Sequence, residues 1–385
     1  MIIESVKART IKDSRKDLTV EVSIKTNVGK FSASAPNGKS KGKHEAKPYI
    51  KSISKDIESL EKLSDYFSEE YLEKFEDLRR IEDIVKGHIG ANTLFALESA
   101  VLKAMSKEQK KEIWKLINPN AKNFPRFVGN SVGGGLHSEA NKKPDFQEFL
   151  LIPSSNSPKE NQKENLEFKK EIEIKIKEKD SKFSGKKNDE NAWKTNLNEK
   201  EIFDILSRLG VPLGTDVAAS SFYKRKKYHY KNPPLDRKPE EQIMYLKNLI
   251  KNYNLFYVED PFEEEDFESF SKLLNVCPNS LIVGDDLTVT NYKRLEKAIE
   301  EKSINAIIIK PNQNGSLIEL SRVVELAKKK NIKTVFSHRS GETKESILAD
   351  LAFGFQADFL KCGITGNERE KKIKRLIEIE KSFKK

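Results

Sequence analysis

The sequence predicts a mixed α/β protein in which a small α+β domain precedes a closed βα barrel. Three observations support this fold class. At 385 residues the chain is long enough for two domains. Near the N-terminus, apolar and polar residues alternate as in an antiparallel sheet with one solvated face. From residue 124 onward, strand-length apolar runs alternate with amphipathic helical segments often enough to favour a barrel.

The first predicted domain spans residues 1–123 and begins with three strands. The runs IIESVKARTI, LTVEVSIKT and GKFSASA are separated by the turn signals DSR and NVG. Residues 52–118 follow, with leucine and phenylalanine spaced as on amphipathic helices. The tripeptide GAN at 90–92 introduces a further helix, TLFALESAVLKAM. This order of elements indicates a small α+β unit.

The second predicted domain, residues 124–385, is the barrel. Its strand-like runs are FQEFLLIP, LFYVED, SLIVGDD, INAIIIK, IKTVFSHRS and ADFLKCG. Helical segments such as SFSKLLNV, RLEKAIEEK and SLIELSRVVELAKKK lie between them, which favours a parallel sheet. The segment EFKKEIEIKIKEKD fits two periods: Phe168, Ile172 and Ile176 suit a helix, whereas Ile172, Ile174 and Ile176 suit a strand.

Composition excludes several classes of protein. The net charge of +11 comes from lysines spread along the chain and interleaved with glutamate, which is weak support for an anionic partner. No apolar run is long enough to cross a bilayer, and the N-terminus lacks the apolar core of a signal peptide. Two cysteines give neither a disulfide framework nor a zinc spacing. We expect a soluble cytoplasmic protein with no membrane partner and no primary role with nucleic acid.

Charged side chains follow five consecutive barrel strands. The strand ends carry Glu259-Asp260, Asp285-Asp286, Lys310, the tetrapeptide SHRS at 337–340, and Lys361. The C-terminal ends of barrel strands converge on one mouth, where active sites lie. Clustered carboxylates repel one another, and a hard divalent cation relieves that repulsion. Lysines beside the same metal can have lowered pKa values and act as bases. The combination predicts metal-assisted proton abstraction next to a carboxylate.

Each of these residues also has an ordinary structural interpretation. A carboxylate after a strand is often the N-cap of the next helix, and Asp286 and Thr288 are expected to have that role. A lysine after a strand usually extends to water, and a single histidine such as His338 is more often structural. Capping alone does not explain charge at five successive strand ends. The shared-site interpretation is therefore preferred.

The blocks around these strand ends resemble the enolase family. DSRKDLTVEV, PNGKSKGKHEA, VGNSVGGGLHS, QEFLLIP, DVAASSFY, VEDPFEEEDF, VGDDLTVTN, IKPNQNGSLIE and FSHRSGET are similar to that family's blocks, in the same order and over nearly the whole chain. Related barrel enzymes such as racemases share the barrel but lack SHRSGET and the GKSKG-type loop. The resemblance implies an enolase-type βα barrel with a mobile loop at residues 36–45.

The resemblance also implies a metal site. Asp216, Glu259 and Asp285 correspond to the acids that hold a tightly bound Mg²⁺ in the family. Ser40 corresponds to the loop serine that ligates a second Mg²⁺ together with the substrate phosphate. Two Mg²⁺ ions per active site are expected, the second arriving with substrate.

Catalytic roles follow in the same way. Lys310 corresponds to the general base and Glu190, in NDENAW, to the general acid beside Glu148; His338 completes the implied catalytic group. A nearby Glu148 would raise the pKa of Glu190. Lys361 corresponds to the lysine that pairs with the substrate carboxylate in the family, and Arg339 and Ser340 correspond to the phosphate contacts. The implied substrate-binding set is His137, Gln147, Glu148, Lys310, Arg339, Ser340 and Lys361.

The implied reaction is the reversible dehydration of 2-phospho-D-glycerate to phosphoenolpyruvate in glycolysis and gluconeogenesis. A homodimer or larger homo-oligomer is implied as well.

The chain departs from the family at Asn191-Ala192, where glycines are usual, and after Lys361, where GITGNERE lacks the usual arginine–serine pair. One alternative is an enolase-like binding protein, catalytically impaired, with plasminogen or RNA as partner. Another is a related sugar-acid dehydratase, which the phosphate-binding residues disfavour.

Overall fold

The computed structural model describes residues 1–39, 42–138 and 142–383. The strands in these ranges are β1 (Ile3–Lys12), β2 (Leu18–Thr26), β3 (Gly29–Ser34), β4 (Arg126–Gly133), β5 (Glu148–Leu151), β6 (Leu213–Asp216), β7 (Tyr223–Lys224), β8 (Lys227–Lys231), β9 (Pro234–Arg237), β10 (Leu255–Glu259), β11 (Leu281–Gly284), β12 (Ala306–Ile309), β13 (Lys333–Ser337) and β14 (Phe359–Gly363).

The helices in the same ranges are α1 (Ile53–Lys62), α2 (Leu78–Val85), α3 (Ala91–Gln109), α4 (Ile113–Ile117), α5 (Pro158–Lys179), α6 (Glu199–Leu206), α7 (Pro239–Tyr253), α8 (Phe267–Val276), α9 (Tyr292–Glu300), α10 (Leu317–Lys329), α11 (Ile347–Gly354) and α12 (Asn367–Phe383). No helix of the part that the structure describes has both the length and the apolar character needed to cross a bilayer.

The N-terminal strands form the predicted antiparallel sheet, in the order β1-β2-β3. Val20, Val22 and Ile24 on β2 are buried, whereas the residues between them are not fully buried. Their face packs against α3, which begins directly after Gly90 as the sequence predicts. The predicted helical region at 52–118 contains four α-helices and two 3₁₀ turns.

The barrel is closed by eight strands in the order β10-β11-β12-β13-β14-β4-β5-β6. The prediction of a wholly parallel sheet is wrong at β5, which runs antiparallel to both β4 and β6. The connection between β4 and β5 has a 3₁₀ turn at Gly135–His137 and no α-helix among its described residues, and the two strands pair in opposite directions. Three of the described strands outside the predicted runs, β7, β8 and β9, form a separate antiparallel sheet.

Two apolar layers stabilise the barrel. Ala306 and Ile308 of β12 join an inner cluster formed by the barrel strands, whereas Ile307 and Ile309 belong to the larger cluster that includes the surrounding helices. Side chains on a strand alternate between faces, so a strand covered on both sides has a continuous apolar run. This explains why the INAIIIK run shows no polar alternation.

The ambiguous EFKKEIEIKIKEKD segment is helical and belongs to α5. Ile172 and Ile176 are buried, whereas Ile174 is 58% exposed, which is the pattern of the helical period.

The expected capping role of Asp286 and Thr288 is wrong. The N-cap of α9 is Asn291, whose side chain accepts hydrogen bonds from two backbone N–H groups.

Candidate active site

The predicted site residues that lie in the described ranges gather at one mouth of the barrel. Parallel strands bring Asp216, Glu259 and Lys361 to this end because each lies at or near the end of its strand. Glu148 reaches the same end from the start of β5, because that strand runs in the opposite direction and pairs Glu148 with Asp216. The cavity at the mouth is lined by Gly38, Lys39, His137, Gln147, Glu148, Glu190, Asp216, Asp285, Lys310, Ser337, His338, Arg339, Ser340 and Lys361.

Lys361 is the central cation of the mouth. Its Nζ lies 2.9 Å from an oxygen of Asp216, 2.8 Å from Glu259 and 3.4 Å from Glu148. The side chain is almost wholly buried. Burial opposes its charge, but Asp216 and Glu148 raise the pKa of Lys361 well above its usual value. The lysine therefore remains protonated and holds three strands together electrostatically.

Lys310 forms an ion pair with Asp285 across neighbouring strands β12 and β11. Burial lowers the pKa of Lys310, but Asp285 outweighs burial and the net effect is a raised pKa. The expectation that lysines beside a bound metal have lowered pKa values stays a prediction. In this state Lys310 is an acid, and it must leave Asp285 before it can accept a proton.

Glu259 is fully buried at the end of β10. The Tyr257 hydroxyl donates a 2.6 Å hydrogen bond to it. Burial, followed by the charge of Asp216, raises the pKa of Glu259 to about 8. The next residue, Asp260, has φ +41° and accepts the backbone N–H groups of Asp285 and Asp286. Asp260 thereby fixes the backbone that carries one of the predicted metal ligands.

Glu148, Glu190 and His137 form a second buried group, with one ligand atom of each within 4.8 Å of the others. Burial and the charge of Glu190 raise the pKa of Glu148 well above its usual range. At Glu190 burial favours the neutral acid, but His137 and His338 outweigh burial and lower the pKa of the carboxyl. The expected raised pKa of Glu190 is therefore wrong in this state. Of the two carboxyls, Glu148 is the one with the raised pKa.

Arg339 faces the mouth from the loop after β13. Its Nη2 lies 3.0 Å from both carboxylate oxygens of Glu45, and its Nη1 donates to Asn312. Glu342, three residues further along, accepts a hydrogen bond from the backbone N–H of Arg339 and pairs with Lys372 rather than with the guanidinium. Arg339 is thus held by a carboxylate where the resemblance places a phosphate.

The structure describes residues 36–39 and 42–45 of the predicted loop at 36–45. Ser40, the implied ligand of a second metal ion, lies outside the described residues. On one side, the backbone N–H of Lys39 donates a 2.9 Å hydrogen bond to the hydroxyl of Ser340. On the other, Lys43 pairs with Glu263 and Glu264. The described parts of the loop therefore contact the barrel mouth at both ends.

The acids of the mouth suit a hard divalent cation. Asp216, Glu259 and Asp285 offer only carboxylate oxygens, the donors that such ions prefer. The buried Oε1 of Gln147, beside Asp216, has no hydrogen-bond partner among the described residues. The three predicted ligands do not form one tight cluster, because Lys361 lies between Asp216 and Glu259, and Asp285 clusters with Asp260 and Asp286. The carboxylate donors therefore suit a hard cation, and the positive charge of Lys361 offsets part of their negative charge.

Several site residues were missed from the sequence. Asn130 donates a 3.0 Å hydrogen bond to Glu190, and Gln313 lies 3.4 Å from an oxygen of Asp285. Glu45 holds Arg339, as described above. Each of the three lies within a block quoted for the resemblance, but a single polar residue in a loop or glycine-rich strand gives no chemical signal by itself.

The fold and this mouth define a two-domain βα-barrel protein whose acidic, lysine-containing site suits an anionic ligand and a divalent cation. Family models for "Enolase, N-terminal domain" and "Enolase, C-terminal TIM barrel domain" match residues 3–117 and 122–385. The chain belongs to the enolase family, and membership implies a divalent metal.

Curated relatives agree over nearly the full length. Enolase of Methanosphaera stadtmanae is 38% identical over 99% of this chain and 97% of the relative. Enolase of Methanocorpusculum labreanum is 37% identical over 99% of both chains. Enolase of Pyrobaculum aerophilum is 36% identical over 94% of this chain and 91% of the relative.

Proposed function

We propose that this chain is a phosphopyruvate hydratase, a hydro-lyase that interconverts 2-phospho-D-glycerate and phosphoenolpyruvate in glycolysis and gluconeogenesis. The observation that carries the proposal is full-length similarity to enolases, with Lys310 and Glu190 lining the same cavity. The reaction removes a proton from C2 and a hydroxide, as water, from C3. It therefore needs a base, an acid and positive charge near the substrate carboxylate.

Lys310 is the proposed base. It takes the C2 proton, and the electron pair left behind moves toward the substrate carboxylate. Lys361, which is protonated and central in the mouth, stabilises that charge by pairing with the carboxylate. Lys310 must first give up its pairing with Asp285 and its own proton. Binding of substrate and cation is expected to change the charge around Asp285 enough to permit this.

Glu190 is the proposed acid, with Glu148 as its proton-holding neighbour. The raised pKa of Glu148 favours a proton on that carboxyl, within the group that also contains His137. Glu148 passes this proton to Glu190, and Glu190 delivers it to the 3-hydroxyl, which departs as water. His338, which lies 3.8 Å from Glu190, helps to orient the carboxyl.

The phosphate is proposed to contact Arg339 and Ser340. Arg339 already binds a carboxylate, that of Glu45, so its guanidinium is oriented for an oxyanion. Ser340 accepts a hydrogen bond from the Lys39 backbone, which links phosphate binding to the loop at 36–45. We propose that this loop closes over the substrate, and that His137 and Gln147 line the remainder of the pocket.

Asp216, Glu259 and Asp285 are proposed to hold one Mg²⁺, and Ser40 a second one together with the substrate phosphate. Bound Mg²⁺ supplies positive charge that makes the C2 proton more acidic. The oxygen-only donor set supports this choice over softer metals.

The remaining assignments follow the family pattern. We propose a domain boundary between residues 123 and 124, a cytoplasmic location, and a homodimer or larger homo-oligomer. A binding role with plasminogen or RNA is not favoured, because a pure binder has no need of buried lysines among buried acids.

The direct test is an assay of phosphoenolpyruvate formation from 2-phosphoglycerate with Mg²⁺, run beside the same assay with non-phosphorylated sugar acids. We expect turnover of the phosphorylated substrate alone. Turnover of a sugar acid, with none of 2-phosphoglycerate, would refute the proposal.

A further inference from the structure

Two segments that depart from the family pattern touch each other beside Glu190. Asn191 has φ +63°, the left-handed conformation that residues other than glycine rarely adopt. A Cβ at Gly366 would overlap the side-chain amide of Asn191, so the glycine provides the space that the larger residue occupies. The Asn191 segment and the segment after Lys361 are therefore fitted to each other.

A buried lysine from α5 joins the two segments. Lys169 is 4% exposed, and its Nζ donates to the backbone carbonyl of Asn191 and, at 2.6 Å, to the hydroxyl of Thr365. The indole N–H of Trp193 donates a 3.0 Å hydrogen bond to the carbonyl of Lys169. The lysine is thus fixed at its backbone and at its tip.

The turn that carries Glu190 has little freedom of its own. The side-chain oxygen of Asn188 accepts the N–H groups of Glu190 at 3.0 Å and Ala192 at 2.9 Å. A Cβ at Gly363 would lie 2.8 Å from the carbonyl oxygen of Glu190, so the turn packs directly against the end of β14. The carbonyl of Asn191 is the next group along, and Lys169 binds it.

The Nζ of Lys169 lies 5.8 Å from the ring centroid of Trp193, but no ion pair among the described residues explains a lysine at this position. Burial, with Lys187 adding to it and Glu173 opposing, lowers the pKa of Lys169 to about 7. No carboxylate among the described residues forms an ion pair with its Nζ, and a buried amine without such a partner is unfavourable. Either protonation state can serve both acceptors, since the ammonium has three donors and the amine two.

We propose that Lys169 is a positioning residue for the dehydration step: it clamps the Asn191 carbonyl against Thr365 and so holds the carboxyl of Glu190 in reach of the departing hydroxyl. This inference rests on the proposed function, in which Glu190 is the acid. Lys310 approaches from a different strand, so the clamp has no direct effect on removal of the C2 proton.

The test separates these two steps. Lys169→Met keeps most of the side-chain volume and removes the donors; Lys170→Met, on the exposed neighbouring residue of α5, is the matched control. We measure formation of phosphoenolpyruvate and exchange of the C2 proton with deuterated water. For Lys169→Met we expect kcat to fall about 10- to 100-fold, the effect of a misplaced acid, with exchange and KM retained. Lys170→Met should match the unmodified protein in both assays.

Thr365→Val provides a second, milder variant if Lys169→Met does not fold. It removes one acceptor of the clamp, and turnover should fall about 2- to 10-fold, the size of one hydrogen bond, again with exchange retained. A parallel loss of exchange and turnover in the folded variant, or no change in either, would overturn the inference. Absence of turnover in the unmodified protein would instead refute the proposed function, and the two failures are thereby distinguished.

Discussion

At the scale of single residues, the free protein uses its own carboxylates as partners for the cations proposed to bind substrate. Lys361 contacts three acids, Lys310 contacts Asp285, and Arg339 contacts Glu45. We expect a substrate with a carboxylate and a phosphate to replace these contacts rather than to meet free charges. Affinity then depends on the exchange of partners, so the geometry of each cation matters as much as its charge.

Arg339→Lys tests this at the proposed phosphate contact. The substitution keeps the charge but loses the planar set of donors, and we expect KM for 2-phosphoglycerate to rise on the order of 10-fold or more. Steady-state kinetics and thermal unfolding are measured together. Arg322→Lys, at an exposed pair with Glu319, is the control and should change neither. A lower melting temperature with unchanged KM would indicate a structural role instead.

Site residues could be predicted where a strand ends in charge. Asp285, Lys310 and Lys361 follow apolar runs that are obvious in the sequence. Glu148 could be placed only by the family resemblance, because an antiparallel β5 brings the start of that strand to the mouth. The raised pKa of Glu148 could not be predicted either, since it depends on which carboxyl faces the imidazoles in three dimensions.

At the scale of elements, strongly apolar strands were predicted correctly and short or polar ones were not. Strand β6 has four residues, one of them glycine, and β4 contains glycine, asparagine and serine. Both strands form because they pair with neighbouring barrel strands, and their own composition does not predict them. The α5 segment is helical because Ile172 and Ile176 are buried in the fold and Ile174 is not. The sequence fits both periods and does not show which isoleucines are buried.

A pair of substitutions in α5 measures that packing. Ile172→Ala removes a fully buried side chain and should lower the free energy of unfolding by about 2–4 kcal/mol. Ile174→Ala, two residues away and exposed, is the matched control and should change stability by less than about 0.5 kcal/mol. Urea titration of both variants gives the comparison. Equal effects would contradict the helical assignment of the two faces.

Glu98 on α3 is expected to make stability depend on pH. It is fully buried, and its Oε2 accepts the backbone N–H of Leu317 at 2.7 Å. Burial, together with the nearby charge of Glu82, raises the pKa of Glu98 well above its usual value. The folded state therefore binds this proton more tightly than the unfolded state does. Its stabilising effect is complete below the unfolded pKa and is lost as pH rises through the folded pKa.

Glu98→Gln removes that titration and keeps an acceptor for Leu317. We expect the variant to be more stable than the unmodified protein at pH 8, by about 1 kcal/mol or more, since one pKa unit corresponds to about 1.4 kcal/mol. The advantage should shrink as the pH is lowered toward 4. Denaturant unfolding across this pH range is the measurement, with exposed Glu61→Gln as control. An advantage that grows toward low pH would contradict the assignment.

At the scale of the whole molecule, the N-terminal domain supplies loop residues to a barrel that carries the rest of the site. Asn312 of the barrel donates hydrogen bonds to Pro36 and Asn92, and Lys43 pairs with Glu263. The fold class could be predicted because both domains have regular patterns over many elements. The way in which the two domains meet could not, because it depends on isolated polar contacts.

We expect the two Mg²⁺ ions to bind one after the other, because the barrel supplies the proposed ligands of the first ion and the loop of the N-terminal domain supplies Ser40 for the second. Calorimetry without substrate should detect one stronger Mg²⁺ site, and a second one should form only when substrate supplies its phosphate near the loop. Asp285→Ala should weaken the first site and abolish activity, because the remaining acids make a poor site for a hard ion. Glu301→Ala, at a surface acid, should bind as before. Two equally strong sites without substrate would contradict the proposal.

The central claim is that Lys310 and Glu190 act in separate steps, and isotope exchange tests it most directly. Lys310→Ala should abolish both turnover and exchange of the C2 proton with deuterated water, with a loss on the order of 10²–10⁴-fold or more. Glu190→Gln should lose turnover to a similar extent, because an amide cannot deliver a proton, and yet retain exchange. The account is contradicted if Glu190→Gln loses exchange while Lys310→Ala keeps it.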